Sequence, residues 1–192
     1  MAHISSISAG MFSDLSVCVD LDQNTLAIVN PTQITLKACF ANEIANGTAP
    51  GVDTGEFIRI KNVREFPSMG TPPNIVNVPV YGSKTSQQIQ GQADAPSMEL
   101  TLNYIGTDWQ DTANYLGSLV GDNVQRVFRF TLMNDKPAAH ASTTAGLGTV
   151  ANSQYFWYGK IEALQVNPQL TDANTATLTI TVQSEFFGAY TD

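Results

Sequence analysis

The segment Thr175–Val182, TATLTITV, sets Ala176, Leu178, Ile180 and Val182 at every second position and fills the gaps with threonines. An extended chain turns alternate side chains to opposite faces, whereas a helix repeats every 3.6 residues, so this pattern reads as a half-buried strand. β-Branched residues at that density favour a pleated surface. Ser97–Ile105 (SMELTLNYI) repeats the device: Met98, Leu100, Leu102 and Tyr104 share one face, and Ser97, Glu99, Thr101 and Asn103 the other. Arg126–Asn134 alternates through Phe128, Phe130 and Leu132. Glu56–Phe66 and Gln154–Gln165 read as further long strands, and Val17–Val29 with Gln33–Phe40 as an early hairpin turned by Asp22-Gln23-Asn24.

One helix is expected. Asp108 or Asp111 can cap its start, Tyr115, Leu116, Leu119 and Val120 follow helical spacing, and Gly121 suits its end. Strands, one helix and more strands describe a mainly β fold: an antiparallel β-sandwich or barrel with a flanking α-helix at about 111–120 and a long β-rich arm at about 66–96. No internal repeat or interdomain linker interrupts the 192 residues, so a single domain with an N-terminal arm, in which His3 lies, is expected over 1–192. Ala41–Gly55 and Pro137–Ser153 are its other long connections.

Hydrophobic residues make up 43% of the chain and charged residues 14%, a folded composition with an unusually uncharged surface. Thr, Ser, Asn and Gln take the place of surface charge, which suits a surface covered by other copies and equally a polar β protein of the extracytoplasmic type. The formal net charge is -8 and Lys or Arg never cluster, which argues against a clamp on nucleic-acid phosphates. Cys18 and Cys39 lie in apolar surroundings and read as buried free thiols. MAHISSISAGMF has no basic region followed by an apolar run, so no secretory signal is expected, and folding in the cytoplasm follows.

Catalytic and metal patterns fail on spacing. His3 and His140 have no Cys, His or carboxylate at ligand spacing and read as solvated loop histidines. Gly146–Ala151 fits a relaxed G-x-G-x-x-A but lacks the preceding strand and following helix. Asp20-Leu21-Asp22-Gln23-Asn24 starts like a calcium loop, yet Thr25 and Pro31 stand where Gly and Glu are needed. Ser118 sits outside any G-x-S-x-G turn. No enzyme activity, cofactor or metal is expected, and Arg59, Arg126 and Arg129 read as strand residues meeting opposite charges.

What remains is interface. Long alternating strands with few edge lysines invite pairing between copies, and ring closure removes the exposed edges. Asn74–Tyr81 (NIVNVPVY) has strand chemistry of its own, flanked by Pro67, Pro72, Pro73 and Pro96, which stiffen the chain before docking. A hairpin folded back on its own sheet is the competing arrangement.

Several stretches in order carry a family resemblance. Val63-Arg64-Glu65-Phe66-Pro67 is followed by a proline- and glycine-bearing arm, then by Val78-Pro79-Val80-Tyr81. Gly91-Gln92-Ala93-Asp94 then leads into Met98–Tyr104, the helix and the terminal strands from Gln154 to Tyr190. The chain thereby resembles the major tail tube proteins of long, non-contractile-tailed bacteriophages. That resemblance implies a β-sandwich with one helix, six-membered rings stacked into a hollow tube, an acidic lumen that conducts DNA, and a long loop reaching the next ring. It implies inter-ring or inter-subunit contacts at Pro67, Met69, Pro72, Pro73, Ile75, Val76, Val78, Tyr81, Lys84 and Gln87. Glu56, Glu99 and Thr101 are the lumen candidates, on polar faces of strands flanking the arm. Implied partners are further copies of the chain and the tape-measure, terminator and distal tail proteins, with DNA passing unbound and no membrane insertion. The implied location is the virion tail, assembled in the bacterial cytoplasm. Two rivals are a secretion-system tube protein of the same fold, and a β-sandwich adhesin or carbohydrate-binding module using Tyr155-Phe156-Trp157-Tyr158.

Overall fold

The computed structural model describes residues 13–51, 53–68, 70, 75–82, 84–90, 97–132 and 153–191. Strand β1 (Asp14–Cys18) leads into helices α1 (Leu21–Val29) and α2 (Gln33–Ala38). There follow β2 (Asn42–Glu43), β3 (Glu56–Arg59), β4 (Val63–Glu65), β5 (Ile75–Val78), β6 (Gln87–Gln90) and β7 (Ser97–Asn103). Then come β8 (Arg126–Leu132), β9 (Ser153–Asn167), β10 (Thr175–Val182) and β11 (Phe187–Thr191).

Among the described residues, nine strands form one sheet in the order β2-β3-β1-β8-β9-β10-β7-β4, with β11 beside β9. Its pairs are antiparallel except the short β2–β3 contact. β3 and β4 stand near opposite ends of that order, yet only Ile60-Lys61-Asn62 joins them. Three residues span roughly 10 Å, so the sheet must curl until its ends meet. Phe66, just past β4, confirms the closure by packing edge-on against Phe130 of β8 at 5.0 Å. The single strand expected over Glu56–Phe66 is therefore two. Asn62, at φ 63, makes the break, a conformation that asparagine tolerates better than most residues.

The curled sheet encloses the main core. Leu15, Val17, Phe128, Trp157, Leu100, Leu102, Leu178 and Ile180 are buried there, on the apolar faces that the alternation marks out. Each such side chain contributes about 1.5–3 kcal/mol by leaving water. Trp157 stacks on Phe128 with ring centroids 5.7 Å apart. β9 is long because it changes partner midway: Ser153–Gly159 pairs with β8, and Gly159–Asn167 with β10. Gly159 is the pivot, and a Cβ there would lie 1.9 Å from the Thr181 carbonyl oxygen. Gly159→Ala is expected to cost about 3 kcal/mol, the upper range for overpacking, read as a drop in urea midpoint. A midpoint equal to wild type would show that the strands part without penalty.

Two local expectations are corrected. The early hairpin is a helix pair, α1 and α2. Asp20 caps α1, its Oδ1 accepting from the Asp22 and Gln23 amides, and this is what the calcium-like run encodes. Thr32 and Thr35 form a reciprocal capping box on α2. Asn24, expected in a turn, is buried. Its Nδ2 donates to the Cys18 carbonyl and its Oδ1 accepts from the Val127 amide, tying α1 to β1 and β8. Both helices cover a second cluster on the outer face of the sheet, around Ala27, Leu36, Phe40, Phe57, Val127 and Phe156.

The α-helix expected at 111–120 is instead a short 3-10 turn, Leu116–Leu119. Asn114 at φ 72 and the extended Tyr115 interrupt any longer helix. Trp109, Leu116 and Leu119 are buried by this segment all the same, so the apolar spacing served packing rather than helix formation. The expected N-terminal arm and the connection bearing His140 and Gly146–Ala151 lie outside the described residues, as does His3.

Candidate assembly interface

The outer faces of β7, β10 and the second half of β9 form a polar surface. Its rows follow the registers: Ser97, Thr181 and Lys160; Glu99, Thr179 and Ala163; Thr101, Thr177 and Gln165; Asn103, Thr175 and Asn167. Glu65 of β4 adjoins the third row beside Thr101. Hydroxyls and amides dominate, and Thr181 donates its hydroxyl to Glu162 at 2.9 Å. Glu99 and Thr101, two residues apart on one strand, are neighbours here and exposed. Glu56 is not brought to this face. It is 4% exposed on β3, and its Oε2 accepts from the Gly51 amide at 2.6 Å. Its carboxylate organises a loop inside the subunit, so Glu56 is dropped as a lumen candidate. Thr175, Thr177, Thr179, Gln165 and Lys160 were not singled out by sequence, although the same period of two marks the threonines.

Strand edges border this surface. β8 pairs with β9 only as far as Gly159, and beyond it the Ile161 carbonyl accepts from the Gly121 amide. At the far side, β4 meets β7 at Leu102 and Thr101, short of Ser97–Leu100.

β5 and β6 form a two-stranded sheet by themselves, with Val78 opposite Gln87 and Val76 opposite Ile89. Val78, Val80, Tyr81 and Ile89 are exposed, Tyr81 completely. Lys84 and Gln87 are exposed too, and Pro67 is half-buried at the root of the arm. Val80 and Ile89 are additions to the expected contact set. Met69, Pro72 and Pro73 lie outside the described residues, and of Ile75 and Val76 only the strand backbone is described.

Away from these surfaces, the strand arginines meet acids. Arg59 lies 3.0 Å from Glu43 and 3.7 Å from Asp14, Arg129 lies 3.7 Å from Asp14, and Arg126 bonds Asp122 at 2.8 Å. The Arg129 guanidinium also sits over the rings of Phe40 and Phe57, 4.7 and 4.8 Å from their centroids. Cys18 and Cys39 are buried free thiols; a hydrogen bond with Cys39, and then burial, push the Cys18 thiol well above its ordinary pKa. Phe156 and Trp157 are core residues, which leaves only Tyr155 and Tyr158 of the Tyr155–Tyr158 run partly exposed. Among the described residues, no group of three or more His, Cys, Asp or Glu could hold a metal, and no helix is long and apolar enough to cross a membrane.

No protein-family model and no curated protein matches the chain. Among solved structures it is similar to a chain of the PVC sheath-tube complex in its extended state, an extracellular contractile injection system seen by cryo-EM. The two are 11% identical with a TM-score of 0.48, over 96% of this chain and 92% of that one.

Proposed function

We propose that this chain is the repeating structural subunit of a hollow tail tube of a long, non-contractile-tailed bacteriophage, built as stacked six-membered rings that conduct DNA. The observation that carries the reading is the β5–β6 hairpin. It pairs with no other strand among the described residues, and it holds Val78, Val80, Tyr81 and Ile89 in water. An apolar hairpin surface of this kind is stabilised when another copy covers it. The bordering edges at β9 and β7 would pair between neighbours in a ring, turning the Glu99 and Thr101 face toward the lumen. Such a wall repels phosphate and gives it few cations to grip, so DNA stays mobile. Other tail proteins would cap and measure the tube.

Negative-stain microscopy of the purified protein is expected to show rings or tubes. A chain that stays monomeric under all conditions, with tail assembly factors added, would rule the reading out. A secretion-system tube of the same fold would instead be marked by secretion components in the neighbouring genes.

The lumen assignment has its own test. Glu99→Lys combined with Thr177→Lys puts two cations per subunit on the polar face. Tubes of this variant are expected to retain short duplex DNA at low salt and release it as salt rises, whereas wild-type tubes retain none. Equal retention by both would place this face away from the lumen.

A further inference from the structure

The hairpin tip is apolar with one cation, and one cavity of the same chain is apolar with carboxylates beside it. The cavity, about 370 Å³, is walled by Val19, Pro50, Ile58, Tyr115 and Leu119, with Arg126 at its side. Arg126 is the first residue of β8, and Phe66 at the arm's root packs on Phe130, four residues or ~13 Å further along that strand. Six antiparallel pairings separate β3 from β4 in the sheet, so the two run the same way. β3 lines the cavity with Ile58, near its start, and the chain therefore enters the arm travelling away from it. Root and cavity are thus set apart along β8.

Charge follows the same polarity. Lys84, in the tip with Tyr81, is the sole charged residue between Phe66 and Ala93. Next to the apolar cavity, and sharing Val19, Leu21 and Pro50 with it, lies a second hollow walled by Asp20, Asp22, Asp53 and Glu56. Asp20 and Glu56 are held by the Gly55 and Gly51 amides, while Asp22 and Asp53 stand exposed.

We propose that the hairpin tip of one copy seats in this cavity of the next, Tyr81 filling the apolar part and Lys84 meeting Asp22 and Asp53. The contact joins unlike surfaces, so each copy keeps a free tip or a free cavity for the next, and the contact passes from copy to copy as a stack requires. A tyrosine fits the site because its ring buries apolar area while its hydroxyl can reach Thr48 or Ser118 on the wall. This deepens the tube reading and rests on it.

Two measurements on the full chain test the seat. Lys84→Cys and Asp53→Cys in one chain, oxidised by copper phenanthroline and dissolved oxygen, are expected to give a ladder of disulfide-linked oligomers on a non-reducing gel. Either substitution alone is expected to give none, since Cys18 and Cys39 are fully buried. Tyr81→Ala is expected to raise the critical concentration for assembly tenfold or more, with the urea midpoint of the monomer unchanged. If the double variant builds tubes without a ladder and Tyr81→Ala assembles at the wild-type concentration, the seat is wrong and the tube reading survives. Wild-type protein that never assembles would remove both.

Discussion

A chain lacking residues 71–88 is expected to remain a folded monomer and to build no tube. The segment contains β5, the tip and the start of β6, and β5 and β6 pair only with each other among the described residues. Removing them therefore takes no hydrogen bond from the nine-stranded sheet. Assembly is another matter. Val78, Val80, Tyr81 and Ile89 together represent about 6–12 kcal/mol of gross burial if a neighbour covers them, before the costs of association, and the deletion removes all of them but Ile89. Losing even half of that is a change of a hundredfold or more in assembly equilibrium. Size-exclusion chromatography and negative-stain microscopy of the variant beside wild type make the measurement. Tubes of normal appearance from the deletion variant would show that another surface holds the subunits together.

Arg129→Ala is expected to destabilise the subunit by about 3–5 kcal/mol, as removal of one partner from a buried charge pair does. Arg129 is 4% exposed, pairs with Asp14, lies 3.5 Å from the Ser16 hydroxyl and covers two rings with its guanidinium. Alanine leaves Asp14 relying on Arg59 and opens a void beside Phe40 and Phe57. Arg129→Met should recover part of the loss by refilling that space, without restoring the charge. Urea unfolding of the monomeric deletion chain separates stability from assembly. A loss under about 1 kcal/mol for alanine would mean that the ion pair and the rings contribute little to the fold.

The strands were legible where one face is apolar and the other polar. Met98, Leu100, Leu102, Ala176, Leu178 and Ile180 all enter the core as their alternation requires. The early helices were hidden for a physical reason. Leu21, Leu26, Val29 and Ile34 are exposed, so most of the large apolar residues of that region do not mark its buried face, which Ala27 and Leu36 share with the polar Asn24. The caps at Asp20 and Thr32 carried the helical signal instead. At 111–120 the error ran the other way: helical spacing was present, but Asn114 turns the backbone out of the helical region. Among the expected site residues, Val78, Tyr81, Lys84 and Gln87 share one exposed hairpin, and Glu99 shares a face with Thr101. Glu56 was misplaced because alternation reports which residues share a face only while a strand runs straight, and every side chain of β3 is buried.

The order in which the sheet closes bears on synthesis. Among the described residues, β4 and β7 join the rest of the sheet only through β10, which comes later in the chain than either of them and later than β9. Until Thr175–Val182 has left the ribosome, the hairpin-bearing strands have no partner in β9, and the core beneath Leu100 and Leu178 stays open. Such non-local pairing closes late and slowly. A truncated or half-made subunit would thus lack the rigid base that presents the hairpin, and a growing polymer would admit only finished copies.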